Sequence, residues 1–264
     1  MILKKRLLEL QEMKFKMRTL VFASRNTKEI LRDVFTLIFG ILFPLVLLVL
    51  LSAINSSIPE GAGMKLFEIT NLVPGISVFG LSFISLFTAT LISKDRCTSF
   101  ILRLFTSPLK SSQYIMGYTL PLIPMSILQT IVCYIASFAF GLEFSANIFL
   151  AIAVNIPVSI LFIAIGLLCG TIFNDKAVGG VCGALLTNLS AWLSGTWFDL
   201  ELVGGVFEKI ADVLPFIHAV NAGRYALYGE YSKIMPELLW VIGYAIVISL
   251  IAIFLFNYKM KEDK

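Results

Sequence analysis

Six uninterrupted apolar blocks decide what this chain can become. A helix needs about 20 apolar residues to traverse the hydrocarbon core of a bilayer. Residues 35–53, 71–92, 114–140, 148–173, 177–197 and 238–256 meet that need, and none of the six contains Asp, Glu, Lys, Arg or His. Backbone polar groups in lipid must be satisfied within the segment, so the blocks are expected to be helices. Only 14% of the residues are charged and 58% are hydrophobic, a balance set for lipid and not for water. The expected fold is an all-α integral membrane protein with six transmembrane helices. Residues 1–264 form a single transmembrane domain, with the bundle over 35–256 and a tail over 257–264. Pro121, Pro124 and Pro157 are the expected bending points.

Orientation follows from the basic residues. Seventeen of the twenty-one Lys and Arg fall in the segment to Asp33, the 94–113 loop, Lys176 and the tail; only Lys65, Lys209, Arg224 and Lys233 lie on the other side. Basic residues favour the cytoplasmic face, so both termini are placed inside. The first apolar block begins more than thirty residues in, with no small-x-small cleavage site after it, and is expected to stay as an anchor.

Three segments do not span. In residues 1–31, Leu3, Leu7, Leu10, Met13, Met17 and Leu20 recur at helical spacing among Lys4, Lys5, Arg6, Lys14, Lys16 and Arg18. This is the pattern of an amphipathic helix in the inner interface, apolar side in lipid and basic side near anionic headgroups. Its position before a membrane span argues against nucleic acid. In residues 94–113, Phe100, Ile101, Leu104 and Phe105 form an apolar cluster amid Arg96, Arg103 and Lys110, stopped by Pro108. Such a helix facing the cytosol is a docking element or an interfacial float. In residues 198–237, Val203, Phe207, Ile210, Leu214 and Ile217 recur at helical spacing after Gly204 and Gly205. This outer segment either dips into the outer leaflet, re-entrant, or lies across the bundle as an interfacial helix.

Chemistry is scarce. His218 is the only histidine and reads as an interfacial or packing residue, since no nucleophile, base and acid can be assembled around it. Cys97, Cys133, Cys169 and Cys182 form no C-x-x-C pair and read as small packing residues, leaving no metal site. No ionisable residue lies in a block, which disfavours a proton-coupled antiporter. No G-x-x-x-x-G-K-[ST] phosphate loop is present, so any ATPase belongs to a separate chain. Small and hydroxyl residues stand inside the blocks instead. Gly166 with Gly170 and Gly179 with Gly183 form two G-x-x-x-G pairs. Ser82, Ser85, Ala89 and Ser93 line one face of the second block, and Thr187, Ser190 and Ser194 one face of the fifth. Each stripe is either a packing surface or a mildly polar wall along a substrate path.

The stretch Lys94-Asp95-Arg96-Cys97-Thr98-Ser99-Phe100-Ile101-Leu102-Arg103-Leu104-Phe105-Thr106-Ser107-Pro108, followed by Tyr114-Ile115-Met116-Gly117, resembles the loop pattern of bacterial type-2 ABC exporter permeases. Leu193-Ser194-Gly195, then Leu214-Pro215 and Arg224, resembles the same family's last outer loop. Cys97 stands where that family often has Gly, and Asp199 where it often has Pro. The resemblance implies a half-transporter in the bacterial cytoplasmic membrane. Two permease chains, identical or not, pair there and two ABC ATP-binding subunits dock from the cytoplasm. ATP and Mg are bound by those subunits, and this chain carries no cofactor. The 94–113 region then corresponds to the coupling helix, with Asp95, Arg96, Phe100, Arg103 and Leu104 as ATPase contacts. The cargo is expected to be apolar or amphiphilic. Two rival readings stay open: a self-contained secondary transporter or channel, and a non-transporting immunity or assembly factor.

Overall fold

The computed structural model describes residues 2–58, 65–98 and 111–262, and every regular element among them is helical. Five helices are long and apolar enough to cross a membrane: Val34–Ser56, Ile69–Cys97, Ser112–Phe140, Asn147–Ile172 and Tyr231–Lys259. They coincide with five of the six expected spans. The protein is therefore an all-α, multi-pass membrane protein.

Helix α1 (Ile2–Arg32) precedes the first span. Asp33 turns the corner: its carboxylate accepts from the backbone N–H of Phe35 at 3.1 Å and of Thr36 at 3.4 Å. The first span is α2 (Val34–Leu37) and α3 (Phe43–Ser56), joined by a wide π-turn, Ile38–Leu42. Pro44 explains that turn, because its ring crowds the carbonyl four residues back, at Gly40, and it offers no N–H to bond it. Helix α4 (Ile69–Cys97) is the bundle's centre and is buried along most of its length. Around it pack α5 (Ser111–Ser137) and α6 (Asn147–Ile172). The helices run unbroken through Pro74, Pro121, Pro124 and Pro157.

The expected fifth span, 177–197, has a different build. It consists of α7 (Asp175–Val178), a second π-turn (Gly179–Leu186) and α8 (Thr187–Trp192). Gly179, Gly180 and Gly183 are poor α-formers and loosen the register. At its cytoplasmic end Ser93 reaches Asp175 at 3.2 Å. Beyond its outer end, a Cβ on Gly75 would meet Thr196 at 2.8 Å. The segment thus follows α4 over about 27 Å.

The outer segment comprises α9 (Leu200–Val203), α10 (Gly205–Val213) and α11 (Pro215–Tyr228), before the last span α12 (Tyr231–Glu262). It dips inward. Tyr244, about 20 Å along α12, donates its hydroxyl to the Val213 carbonyl at 2.8 Å. Phe216 packs on Phe162, deep in α6, with ring centroids 6.1 Å apart. At the far end of α11, Asn147 at the outer start of α6 donates to the Leu227 carbonyl at 3.2 Å. Helix α11 therefore climbs from about mid-depth to the surface, and the Leu214–Pro215 turn is the bottom of a re-entrant hairpin.

Candidate functional site

The ends of α1, α4, α5 and α6 on the side that the basic residues place in the cytoplasm form one polar platform, and Asp95 and Arg96 stand there just before residues 99–110. Asp95, near the end of α4, is only 3% exposed. Arg25 of α1 grips it through two nitrogens, at 2.6 and 2.7 Å. The Tyr118 hydroxyl of α5 donates to the same carboxylate at 2.9 Å. A bidentate guanidinium–carboxylate pair fixes direction as well as distance. Burial of the Arg25 guanidinium opposes its charge, but the hydrogen bonds and negative charge of Asp95 outweigh this and raise its pKa.

The docking of α1 depends on shape as well as charge. Phe22 inserts edge-on between Tyr114 and Tyr118, with centroids 5.7 and 5.0 Å away. The ring fits because position 117 is glycine: a Cβ there would lie 2.2 Å from Phe22. Asn26 donates to the Gly117 carbonyl at 3.0 Å, and Gln113 donates to the Phe15 carbonyl at 3.0 Å. Met13, Met17 and Leu20 stay exposed on another face, where the sequence places lipid. Between α1 and α4 a cleft of about 940 Å³ is rimmed by charges of both signs, Lys28, Arg32 and Lys94 with Glu29 and Asp33, over Phe87 and Leu91.

Arg96 points the other way. Its guanidinium donates to the last carbonyls of α6, those of Gly170 at 2.9 Å, Thr171, and Phe173 at 3.4 Å. A cation there satisfies orphan acceptors and meets the negative end of the helix dipole. Arg96→Gln is expected to cost about 1–2 kcal/mol. Thermal unfolding of the solubilised protein would measure it, and an unchanged midpoint would remove Arg96 from the platform.

Of the expected ATPase contacts, then, Asp95 and Arg96 face inward, each tying the end of α4 to a neighbouring helix. Phe100, Arg103 and Leu104 lie outside the described residues. The expected path residues Ser82, Ser85, Ser93, Thr187, Ser190 and Ser194 are all buried within the protomer. Ser82, Thr187 and Ser194 bond carbonyls of their own helical turn, as does Ser93, which also reaches Asp175. They face protein and not a channel.

The two glycine pairs separate sharply. A Cβ on Gly166 would lie 2.5 Å from the Ser85 carbonyl oxygen, and one on Gly170 2.7 Å from that of Ala89, so α4 and α6 touch backbone to backbone. Of the second pair, Gly183 meets only the Leu86 side chain, at 3.4 Å, while Gly179 and its neighbour Gly180 have nothing within 4 Å. They share an outward face with Ala184, Leu185, Asn188 and Trp192, all exposed.

At the outer end, the two halves of the second motif meet. Arg224 of α11 donates to the Gly195 carbonyl at 2.8 Å and the Asn71 carbonyl at 3.2 Å, tying the hairpin to the ends of the fifth segment and α4. Burial lowers its pKa to about 10, which leaves it charged at neutral pH. Gly195 holds φ at +62°, a conformation glycine adopts without strain.

The reading of the sequence missed Arg25 and Tyr118. A signal for α1 was present, since Phe22, Asn26 and Ile30 repeat every fourth residue on a face distinct from the leucine stripe. Nothing local marks Arg25 among nine basic residues.

Five long apolar helices with a charged platform at one end of the bundle define a multi-pass membrane protein. The chain matches the family model described as ABC-2 type transporter over residues 17–228. It belongs to that family and is the transmembrane subunit of an ABC transporter. None of the curated proteins compared with it matches.

Proposed function

We propose that this chain is one half of the membrane domain of an ATP-driven exporter, pairing with a second permease chain and with two ATP-binding subunits docked beneath the cytoplasmic platform. The observation that carries this is the fastening of the end of α4, just ahead of residues 99–110: Arg25 holds Asp95 on one side and Arg96 holds α6 on the other. A loop that transmits force needs a rigid root. Asp95 and Arg96 act as positioning residues in this reading, while Phe100, Arg103 and Leu104 supply the contact with the ATPase. ATP and Mg are bound there, outside this chain. Closure of the ATPase pair then biases the two permeases between two arrangements.

The outward face of Gly179, Gly180, Ala184 and Asn188 suits the second chain. Asn188 donates to the Ala184 carbonyl at 2.7 Å, and the rest of its exposed amide is better placed against a partner or along a route at the seam than in lipid. Ser82, Ser85, Ser93, Thr187, Ser190 and Ser194 stiffen the wall behind that route. The cargo is apolar or amphiphilic, such as a drug, a peptide or a lipid-like molecule, since no charge along the middles of the described spans would neutralise an ion.

The experiment is a mild-detergent pull-down of the tagged chain from its native membranes. A co-purifying chain bearing a phosphate-binding loop is expected, lost in the Phe100→Asp, Arg103→Glu double variant with the permease's melting temperature unchanged. A chain that purifies alone and transports in liposomes without ATP would overturn the reading.

A further inference from the structure

His218 is the chain's only histidine, and it sits where the re-entrant hairpin meets the last span. Its ring lies against the indole of Trp240, centroids 5.1 Å apart and planes 3° from parallel. Nε2 is 2.8 Å from the Asp212 carbonyl oxygen, and Nδ1 is 2.5 Å from Glu237 Oε2. Although His218 belongs to α11, its two nitrogens are committed to α10 and to α12.

Counting protons on these contacts gives a definite result. A carbonyl oxygen only accepts, so Nε2 carries a hydrogen. A neutral ring with its hydrogen on Nε2 has a bare lone pair at Nδ1, which would face and repel an ionised Glu237. The contact attracts only if one more proton sits between Nδ1 and the carboxylate, shared by the pair. The surroundings favour that proton. The Asp212 side chain of α10 adds negative charge. Helix α6 brings no Asp, Glu, Lys, Arg or His, and the charged residues of α4 stand at its cytoplasmic end. On α11 itself, Arg224 is engaged by the carbonyls of Gly195 and Asn71. On α12, Tyr244 donates to the Val213 carbonyl, and Lys233 pairs with Glu230 at 2.6 Å.

We propose that His218 and Glu237 form a proton-binding latch, which fastens the re-entrant hairpin to the last span and releases it when the outer medium turns alkaline. Without the proton, Nδ1 and the carboxylate repel, the ring leaves Trp240, and α11 is held at its upper end by Arg224 and by Asn147 on the Leu227 carbonyl. The sign is set by the balance at the ring. Burial disfavours the charged imidazole, while the Glu237 hydrogen bond, the Asp212 carbonyl and both negative charges outweigh it and raise the pKa. A group whose pKa is raised by the closed arrangement stabilises it fully below the free value of about 6.5. That contribution disappears as pH climbs through the raised value. The latch goes beyond the exporter reading and does not depend on which cargo is carried.

A single histidine makes the test direct. The protein is purified through a histidine-free tag, labelled with ¹⁵N-histidine and placed in lipid nanodiscs. Both ring nitrogens are followed from about pH 5.5 to about pH 9.5, a range that brackets the ordinary imidazole. Both nitrogens are expected to be protonated at neutral pH, with a midpoint above the ordinary one. Glu237→Gln is expected to lower that midpoint. Hydrogen exchange across residues 205–228 should show a step at the wild-type midpoint, beyond the intrinsic rise with pH, and the variant should lack it. A bare Nδ1 at neutral pH in the wild-type protein overturns the latch whether or not the variant folds. So does exchange that follows the intrinsic rate alone.

Discussion

Arg25→Ala is expected to destabilise the protein by about 3 kcal/mol, whereas Asp95→Asn costs only about 1 kcal/mol. The two substitutions break one ion pair, but they leave different groups behind. Without Arg25, the Asp95 carboxylate stays 3% exposed with only the Tyr118 hydroxyl to bond it. Without the Asp95 charge, Arg25 remains 35% exposed and keeps Glu29 at 2.8 Å. Removing a partner from a buried charge is severe; removing one from a half-solvated charge is mild. The figure for Arg25 is set at the low end of the buried-pair range because its own side chain is partly in water. Combining Arg25→Ala with Asp95→Asn should recover most of the loss, since the stranded charge is then gone. Thermal unfolding of the solubilised protein distinguishes these outcomes. Equal costs for the two single variants, with no recovery in the double, would dismiss the pair as a fastening.

The glycine pairs provide the second large effect. Gly166→Ala and Gly170→Ala each place a methyl against the backbone of α4, which cannot step aside as a side chain can. Each is expected to cost about 1–3 kcal/mol, and larger side chains more. Gly179→Ala and Gly180→Ala meet nothing, and a helix gains up to about 1 kcal/mol when glycine becomes alanine. The isolated protomer should therefore tolerate them or improve. If their face receives a second chain, bulkier residues there should reduce the paired fraction in native gels while leaving protomer melting intact. Loss of melting temperature from Gly179→Ala comparable with that from Gly166→Ala would show that the face is closed within the protomer.

The contrast between these pairs marks the limit of what the chain reveals by itself. Both read identically as G-x-x-x-G, yet Gly166 and Gly170 meet the backbone of α4, whereas Gly183 meets only the Leu86 side chain and Gly179 meets nothing. The five long spans were legible because lipid imposes a length and an apolar content that any reader of the sequence can measure. The fifth segment was legible in place but not in build, because a π-turn depends on small residues and neighbours together. The outer hairpin was recognised as helical, yet its depth rests on contacts such as Tyr244 with Val213, formed across distant parts of the chain. The platform was the least legible. Asp95 and Arg96 stand in an exposed-looking loop motif, and their burial requires Arg25, seventy positions earlier, and the end of α6. His218 and Glu237 were each visible, but nothing in their spacing says that they face one another.

The backbone contact of α4 with α6 has a mechanical meaning. At Gly166 and Gly170 no side-chain layer separates the two helices to absorb sliding, Asn155 bonds Ser77 across them farther up, and Arg96 clamps their lower tips together. They behave as a single stiff rod about 44 Å long. Its lower end carries Asp95 and Arg96, just ahead of residues 99–110. Its upper end carries the Asn71 carbonyl, on which Arg224 and the outer hairpin rest. A tilt of about 5° pivoting at one tip displaces the other by about 4 Å, more than the length of a hydrogen bond. A small stroke under the membrane is thus large enough to unseat the roof on the far side, without either helix having to bend.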